Sequence, residues 1–228
     1  MEVEKRFIRN YLSKQKYTSG KITSWFILTA CIVLSLFYWD NSSSLSTILS
    51  ASHSQVFIDG QYWRLFTTSF VHGDIEHLMS NSLMLFILTY FVTAFYGSFI
   101  SIGLGFIMGI VINFFVISQY STDTTLVGAS GVIYYLWGFW LVLYLCISKH
   151  MHILSRLLRI GGIFFILLVP TTYSPSTSYM AHYIGFGVGF ITGLIYYFFY
   201  HKKIAEFEFW EYRVIEELEE INEEIQES

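Results

Sequence analysis

Charge is scarce in this chain. Only 13% of its 228 residues are charged, where an ordinary soluble domain carries about a quarter. With 54% hydrophobic residues and a mean hydropathy of +0.51, composition excludes an ordinary soluble domain and points to a membrane protein. Cysteine is nearly absent. Cys31 and Cys146 both fall inside apolar runs, which argues for buried filler and against a disulfide framework or thiolate metal site. No basic surface interleaved with aromatics occurs outside a short N-terminal tail, so a nucleic-acid partner has no support. A cleavable signal peptide is not expected either. The first apolar run starts late, lacks a small-residue cleavage site and is followed by five more.

Apolar sequence in long runs, by contrast, is abundant. Crossing the hydrocarbon core takes about 20 apolar residues in helical form. Six stretches approach this length: Ile22–Trp39, His77–Tyr96, Phe99–Ser118, Ser130–Ser148, Leu157–Thr172 and Tyr179–Tyr200. The reading is an all-α membrane protein, a polytopic bundle of six transmembrane helices over residues 22–200. A basic tail of residues 1–21 precedes it and an acidic tail of residues 201–228 comes after it.

The net charge of −4 conceals a segregation along the chain. Lys5, Arg6, Arg9, Lys14, Lys16 and Lys21 precede the first span, Lys149, Arg156 and Arg159 separate the fourth from the fifth, and Lys202 and Lys203 succeed the sixth. Six spans put all eleven on one side and leave only Arg64 on the other. The positive-inside rule then assigns both termini to the cytoplasm. Asp40–Ile75 becomes an external connection too long for a plain loop, hence structured and functional. In Ile204–Ser228, ten acids accompany Val214, Leu218, Ile221 and Ile225 at helical spacing. An amphipathic cytoplasmic helix is expected there, with an acidic face that anionic lipid would repel.

Polar residues inside spans are costly and carry a functional hypothesis by default. Gly128-Ala129-Ser130-Gly131 opens the fourth span. A serine at a helix start can be a simple N-cap. Flanking glycines and free helix N–H groups also make an anion-binding turn. Tyr134 and Gly138 continue the Ser130 face. At the external end of the sixth span stands His182, with Gly185, Gly189 and Gly193 in a stripe below it. Alone, such a histidine could be an interfacial residue. The stripe, however, lets two membrane helices meet with their backbones in near contact. Packed on the Ser130 helix, it would bring an imidazole to a hydroxyl, as serine activation requires. His72-Gly-Asp-Ile-Glu-His77-Leu-Met-Ser-Asn81 opens the second span, and His77 and Asn81 share a face there as neutral donors for an oxyanion. Glu76 precedes His77 instead of coming after it, and the two histidines are five apart, so a zincin site fails on spacing.

These segments resemble the rhomboid family of intramembrane serine proteases. The match comprises Tyr62-Trp63-Arg64-Leu65-Phe66-Thr67, His72-x4-His77-x3-Asn81, Gly128-Ala129-Ser130-Gly131-Val132-Ile133-Tyr134 and Ala181-His182-x2-Gly185-x3-Gly189-x3-Gly193. The resemblance implies a Ser130 nucleophile and a His182 base, a dyad without a carboxylate. It further implies that Tyr134 packs on the His182 ring and that His77, Asn81 and the Ser130 N–H form the oxyanion hole. Trp63 and Arg64 would brace a hairpin lying partly in the membrane, and His72 would be structural. By fold analogy the fifth span would be a lateral gate and the Tyr173–Tyr179 loop a cap. Asp123, the one acid near the fourth span, reads as solvent-facing. The implied substrates are single-span membrane proteins, with no metal or other cofactor. The alternative is a proteolytically inactive relative that binds membrane clients. Composition suits a bacterial plasma membrane, and no pattern in the chain speaks to its oligomeric state.

Overall fold

A computed structural model of the protein describes residues 3–40, 45–122, 124–168 and 177–214. Five helices in it are long and apolar enough to cross a membrane: α1 (Gly20–Trp39), α4 (Ile75–Tyr96), a helix over Phe99–Ser118, α6 (Ser130–Ile147) and α8 (Tyr179–Ala205). The third of these opens with a π-helical stretch, Phe99–Leu104, and continues as α5 (Gly105–Ser118). Where a sixth span is expected, α7 covers Ile153–Leu168. It begins four residues before the run read from sequence, and the remainder of that run, 169–172, lies outside the described residues. The chain is thus an all-α polytopic membrane bundle.

α6 is its axis. Tyr135, Leu136, Phe139, Val142 and Leu143 are all but inaccessible, and the seam between α6 and α8 is the most extensive contact among the described residues. Around this core the outward faces stay apolar, with Ile22, Phe26, Leu83, Phe115, Phe198 and Phe199 among the exposed side chains. In water such a surface would be a liability; in hydrocarbon it is the solvent-matched one. Lipid tails then remove any hydrophobic drive between helices, and close packing of small residues has to hold the seam instead.

The long connection between the first two spans is built, as its length implies. It contains short helices α2 (Leu45–Ile48) and α3 (Arg64–Thr67), the strand β2 (Ala51–Ser52) and a π-helical turn at Ser54–Ile58. β2 pairs antiparallel with β3 (Thr125–Leu126), immediately ahead of the α6 N-terminus. The long loop is therefore pinned to the turn that presents Ser130.

At the other end the structure departs from the reading of the C-terminal tail at Val214. Val3–Arg9 forms β1 and pairs antiparallel with β4 (Phe209–Val214), so Val214 closes a strand rather than opening an amphipathic helix. Phe209, Trp210 and Tyr212 are aromatic and suit a pleated surface. Cross-strand charges agree as well, with Arg6 opposite Glu211 and Glu4 opposite Arg213. Leu218, Ile221 and Ile225 of the expected helix, like Asp123 and most of the Tyr173–Tyr179 loop, lie outside the described residues.

Candidate active site

Gly128 sets the local geometry at the start of α6. Its φ of +120° is open to glycine and strained for other residues. A side chain there would also run into the His77 ring, whose Cε1 lies 2.8 Å from the position a Cβ would take. The N-cap of α6 is Ala129, without a side-chain cap, and Ser130 is the first helical residue. The simple capping role for Ser130 is therefore not what the fold uses.

Three hydrogen bonds hold this turn. Gly128 N–H donates to the Thr68 carbonyl at 3.0 Å, the Thr68 hydroxyl donates to the Leu126 carbonyl, and Ala129 N–H donates to Nε2 of His72 at 3.4 Å. His72 is completely buried and its Nδ1 lies 3.3 Å from the Ser35 hydroxyl of α1. Burial first, and the neighbouring His77 second, push its pKa down to about 4. A neutral ring is what this arrangement needs, since Nε2 must accept while Nδ1 donates.

The glycine stripe of α8 meets α6 as its spacing requires. A Cβ at Gly185 would fall on the Gly131 carbonyl, one at Gly189 on the Tyr135 carbonyl, and one at Gly193 on Val142 and the Phe139 carbonyl. From the other side, a Cβ at Gly138 would strike the Phe186 carbonyl, and one at Gly131 would come within 3.2 Å of Ile112. The stripe bears on Gly131, Tyr135 and Phe139, a face turned slightly from the Ser130–Tyr134–Gly138 line. At the top of the seam the rings of Tyr134 and His182 stack with centroids 4.1 Å apart and planes 14° from parallel. Tyr179 meets the same imidazole edge-on at 6.0 Å. Two aromatic neighbours leave the His182 ring little rotational freedom.

Ser130, His182 and His77 line one cavity of about 540 Å³, together with Asp74, Glu76 and Ser80. Asp74 caps α4 by accepting from His77 N–H at 2.7 Å, which fixes the helix start that carries His77. Asn81 stands apart: it does not line the cavity, and its amide donates back to the His77 carbonyl at 3.2 Å. Arg64 is buried, donating to Gln61 Oε1 at 2.6 Å and to the carbonyls of Thr47 and Ser50 at 2.9 and 2.7 Å. It ties the long loop together from inside. Trp63, by contrast, is 56% exposed and projects from the loop as an anchor would. Among the described residues no cluster of His, Cys, Asp and Glu could hold a metal ion.

Sequence reasoning misses several supporting groups. Asn113 of α5 donates to the Leu65 carbonyl at 2.8 Å and to the Ser69 hydroxyl at 3.0 Å, binding the long loop to the bundle. Tyr120 donates to the Ser178 hydroxyl at 2.6 Å, tethering the start of α8. An asparagine in the middle of an apolar run is the one available signal, by the same cost argument applied to Ser130.

The Rhomboid domain family profile matches residues 59–199. Rhomboid-related protein 3 of Homo sapiens is 22% identical over 209 residues, covering 82% of this chain and 52% of the human protein. The chain thus spans about half the length of that curated relative. With the profile covering well over half of its residues, the chain belongs to the rhomboid family.

Proposed function

We propose that the protein is an intramembrane serine endopeptidase that cleaves single-span membrane proteins with a Ser130–His182 dyad. The observation that carries this reading is the stacked Tyr134–His182 pair at the top of a glycine-packed seam, beside a serine at a helix N-terminus in the same cavity. His182 takes the Ser130 proton as Oγ attacks the scissile carbonyl. The resulting oxyanion is met by the Ser130 N–H and the His77 ring. Asn81 would join them by turning its amide from its own helix toward the cavity. As the C–N bond breaks, His182 returns the proton to the leaving amine. Water, deprotonated by the same imidazole, then releases the acyl group from Ser130.

No carboxylate is assigned to orient the imidazole, and aromatic stacking does that work instead. Nothing then stabilises the imidazolium as the aspartate of a triad does, so turnover should be slow. The sparsely attached α7 would serve as the side along which a substrate helix enters. The charge segregation supports a plasma-membrane protein with both termini cytoplasmic and the site toward the outer face. The test is incubation of purified protein with a model single-span substrate. Ser130→Ala and His182→Ala should each abolish cleavage while leaving folded, membrane-inserted protein, and a fluorophosphonate should label Ser130 alone. Substrate capture without cleavage by the unaltered protein would instead establish the inactive, client-binding alternative.

A further inference from the structure

A second cavity, of about 440 Å³, opens at the end of the bundle opposite Ser130. Its walls come from the ends of several spans and the N-terminal segment, including Tyr96 closing α4, Phe99 after it, Lys203 near the end of α8, and Tyr11 and Lys16 ahead of α1. The Ser130–His182 chemistry does not use it.

Two of the wall residues are lysines and none is a carboxylate. Among the described residues neither lysine has an acidic partner, the ion pair present being Arg213–Glu211. The Lys16 ammonium donates to the Lys14 carbonyl at 2.9 Å and lies 3.9 Å above the Phe207 ring. Burial, then the nearby cations of Lys14 and Arg9, lower its pKa, the mark of a positive charge without a counter-ion. An independent sign comes from Tyr96. This side chain is 4% exposed, lines the cavity, and carries a buried hydroxyl with no hydrogen-bond partner among the described residues. Buried hydroxyls are nearly always paired, and one left unpaired at a cavity wall is free to donate to a bound acceptor.

We propose that this cavity binds a phosphate group, that of an anionic phospholipid headgroup from the adjacent leaflet. Lys16 and Lys203 supply the cations and Tyr96 a hydroxyl donor. The cavity's level favours a lipid over a soluble anion. It sits where spans end and headgroups begin, and Phe99, 72% exposed, and Ile100 offer apolar surface to the first methylenes of the chains. Occupancy would also brace the seam from below. Tyr96 meets Phe139 of α6 and Tyr196 of α8 edge-on, at 5.5 Å in both cases.

The experiment uses full-length Ser130→Ala protein, delipidated in neutral detergent, so that binding is read apart from proteolysis. Thermal unfolding and native mass spectrometry would monitor titration with dioleoylphosphatidylglycerol, dioleoylphosphatidylcholine and inorganic phosphate. Phosphatidylglycerol should bind and raise the melting temperature, while phosphatidylcholine and phosphate should not. Each basic residue near an anionic surface contributes about 1 kcal/mol. Lys16→Gln or Lys203→Gln should therefore weaken binding about fivefold, and the pair about twenty-fivefold. Tyr96→Phe should weaken it while keeping the fold, and Lys21→Gln with Lys149→Gln, outside the cavity, should change little. A shift reproduced in full by inorganic phosphate would support the phosphate site with a soluble source. Equal response to the two lipids, or a phosphatidylglycerol preference that survives the Lys16 and Lys203 changes, would overturn the proposal.

Discussion

The seam between α6 and α8 and the helix α7 both carry glycines in apolar sequence, and they use them in opposite ways. On α8, a Cβ at Gly185, Gly189 or Gly193 would land on the atoms of α6. On α7, a Cβ at Gly161 or Gly162 would meet nothing within 4 Å. The seam is buried along its length. In α7, Leu154, Leu158 and Phe165 point outward, 57–68% exposed. A bond from Arg156 to the Leu145 carbonyl at 2.6 Å and an edge contact of Phe164 with Phe186 at 5.2 Å help attach it to its neighbours. One pair of helices is packed backbone to backbone, and among the described residues its neighbour α7 is attached far more sparsely. The residue type is the same, so the difference lies in what stands opposite.

The sharpest way to break this contrast is Gly189→Val against Gly162→Val. At Gly189 the new side chain strikes backbone, which cannot swing aside. Overpacking should cost about 1–3 kcal/mol, and displacement of His182 by about 1 Å should lower cleavage about 10²-fold or more. At Gly162 stability should stay within about 0.5 kcal/mol. Melting temperature and initial cleavage rate report both. Equal damage at the two positions would mean that the seam is no more tightly built than α7.

Next in size is His77→Ala, which acts beside the seam without touching its packing. One oxyanion donor is worth about 10²–10³ in rate. With the Ser130 N–H remaining, the loss should sit at or below that range, in kcat more than in KM. A loss as complete as that of His182→Ala in a stable protein would reassign His77 to proton transfer.

His72 predicts a pH dependence. Folded, its pKa is about 4 against an ordinary 6.5. Between those values the unfolded chain holds a proton that the folded one refuses. Its contribution is therefore complete above about pH 6.5 and is lost as pH falls toward 4, by roughly 3 kcal/mol at 1.36 kcal/mol per unit. Unfolding midpoints at pH 7.5 and 4.5 should differ less in His72→Gln than in the unaltered protein. Parallel pH profiles would remove the buried neutral imidazole from the account.

The smallest effect is expected at the far end of the molecule. Truncation after Val214 keeps β4 and should leave stability and cleavage unchanged. Truncation after Lys203 removes β4 and the buried Ile204. It should lower the melting temperature while cleavage per folded molecule stays within a few-fold. A complete loss of activity would show that the β1–β4 sheet bears on the site.

Periodicity and run length are enough for five of the six expected spans, because a helix crossing hydrocarbon must be long, apolar and internally hydrogen-bonded. Spacing also suffices to aim the stripe of Gly185, Gly189 and Gly193, since positions four apart share a helix face. Motif order offers Ser130 and His182 as candidates, and the fold sets both on the wall of one cavity. The C-terminal tail departs from its sequence reading at β4 because Val214 ends an aromatic strand whose partner lies some 200 residues away at Val3, and no local pattern announces such a pairing. The same holds for the turn at Gly128. Which ring its absent side chain makes room for, which carbonyl Thr68 reaches, and how His72 ties α1 to Ala129 all depend on contacts between segments far apart in the chain. Local sequence determines where a helix can start and which face it offers. Only the assembled bundle decides what occupies that face, because close packing is a property of pairs of surfaces and neither surface alone contains it.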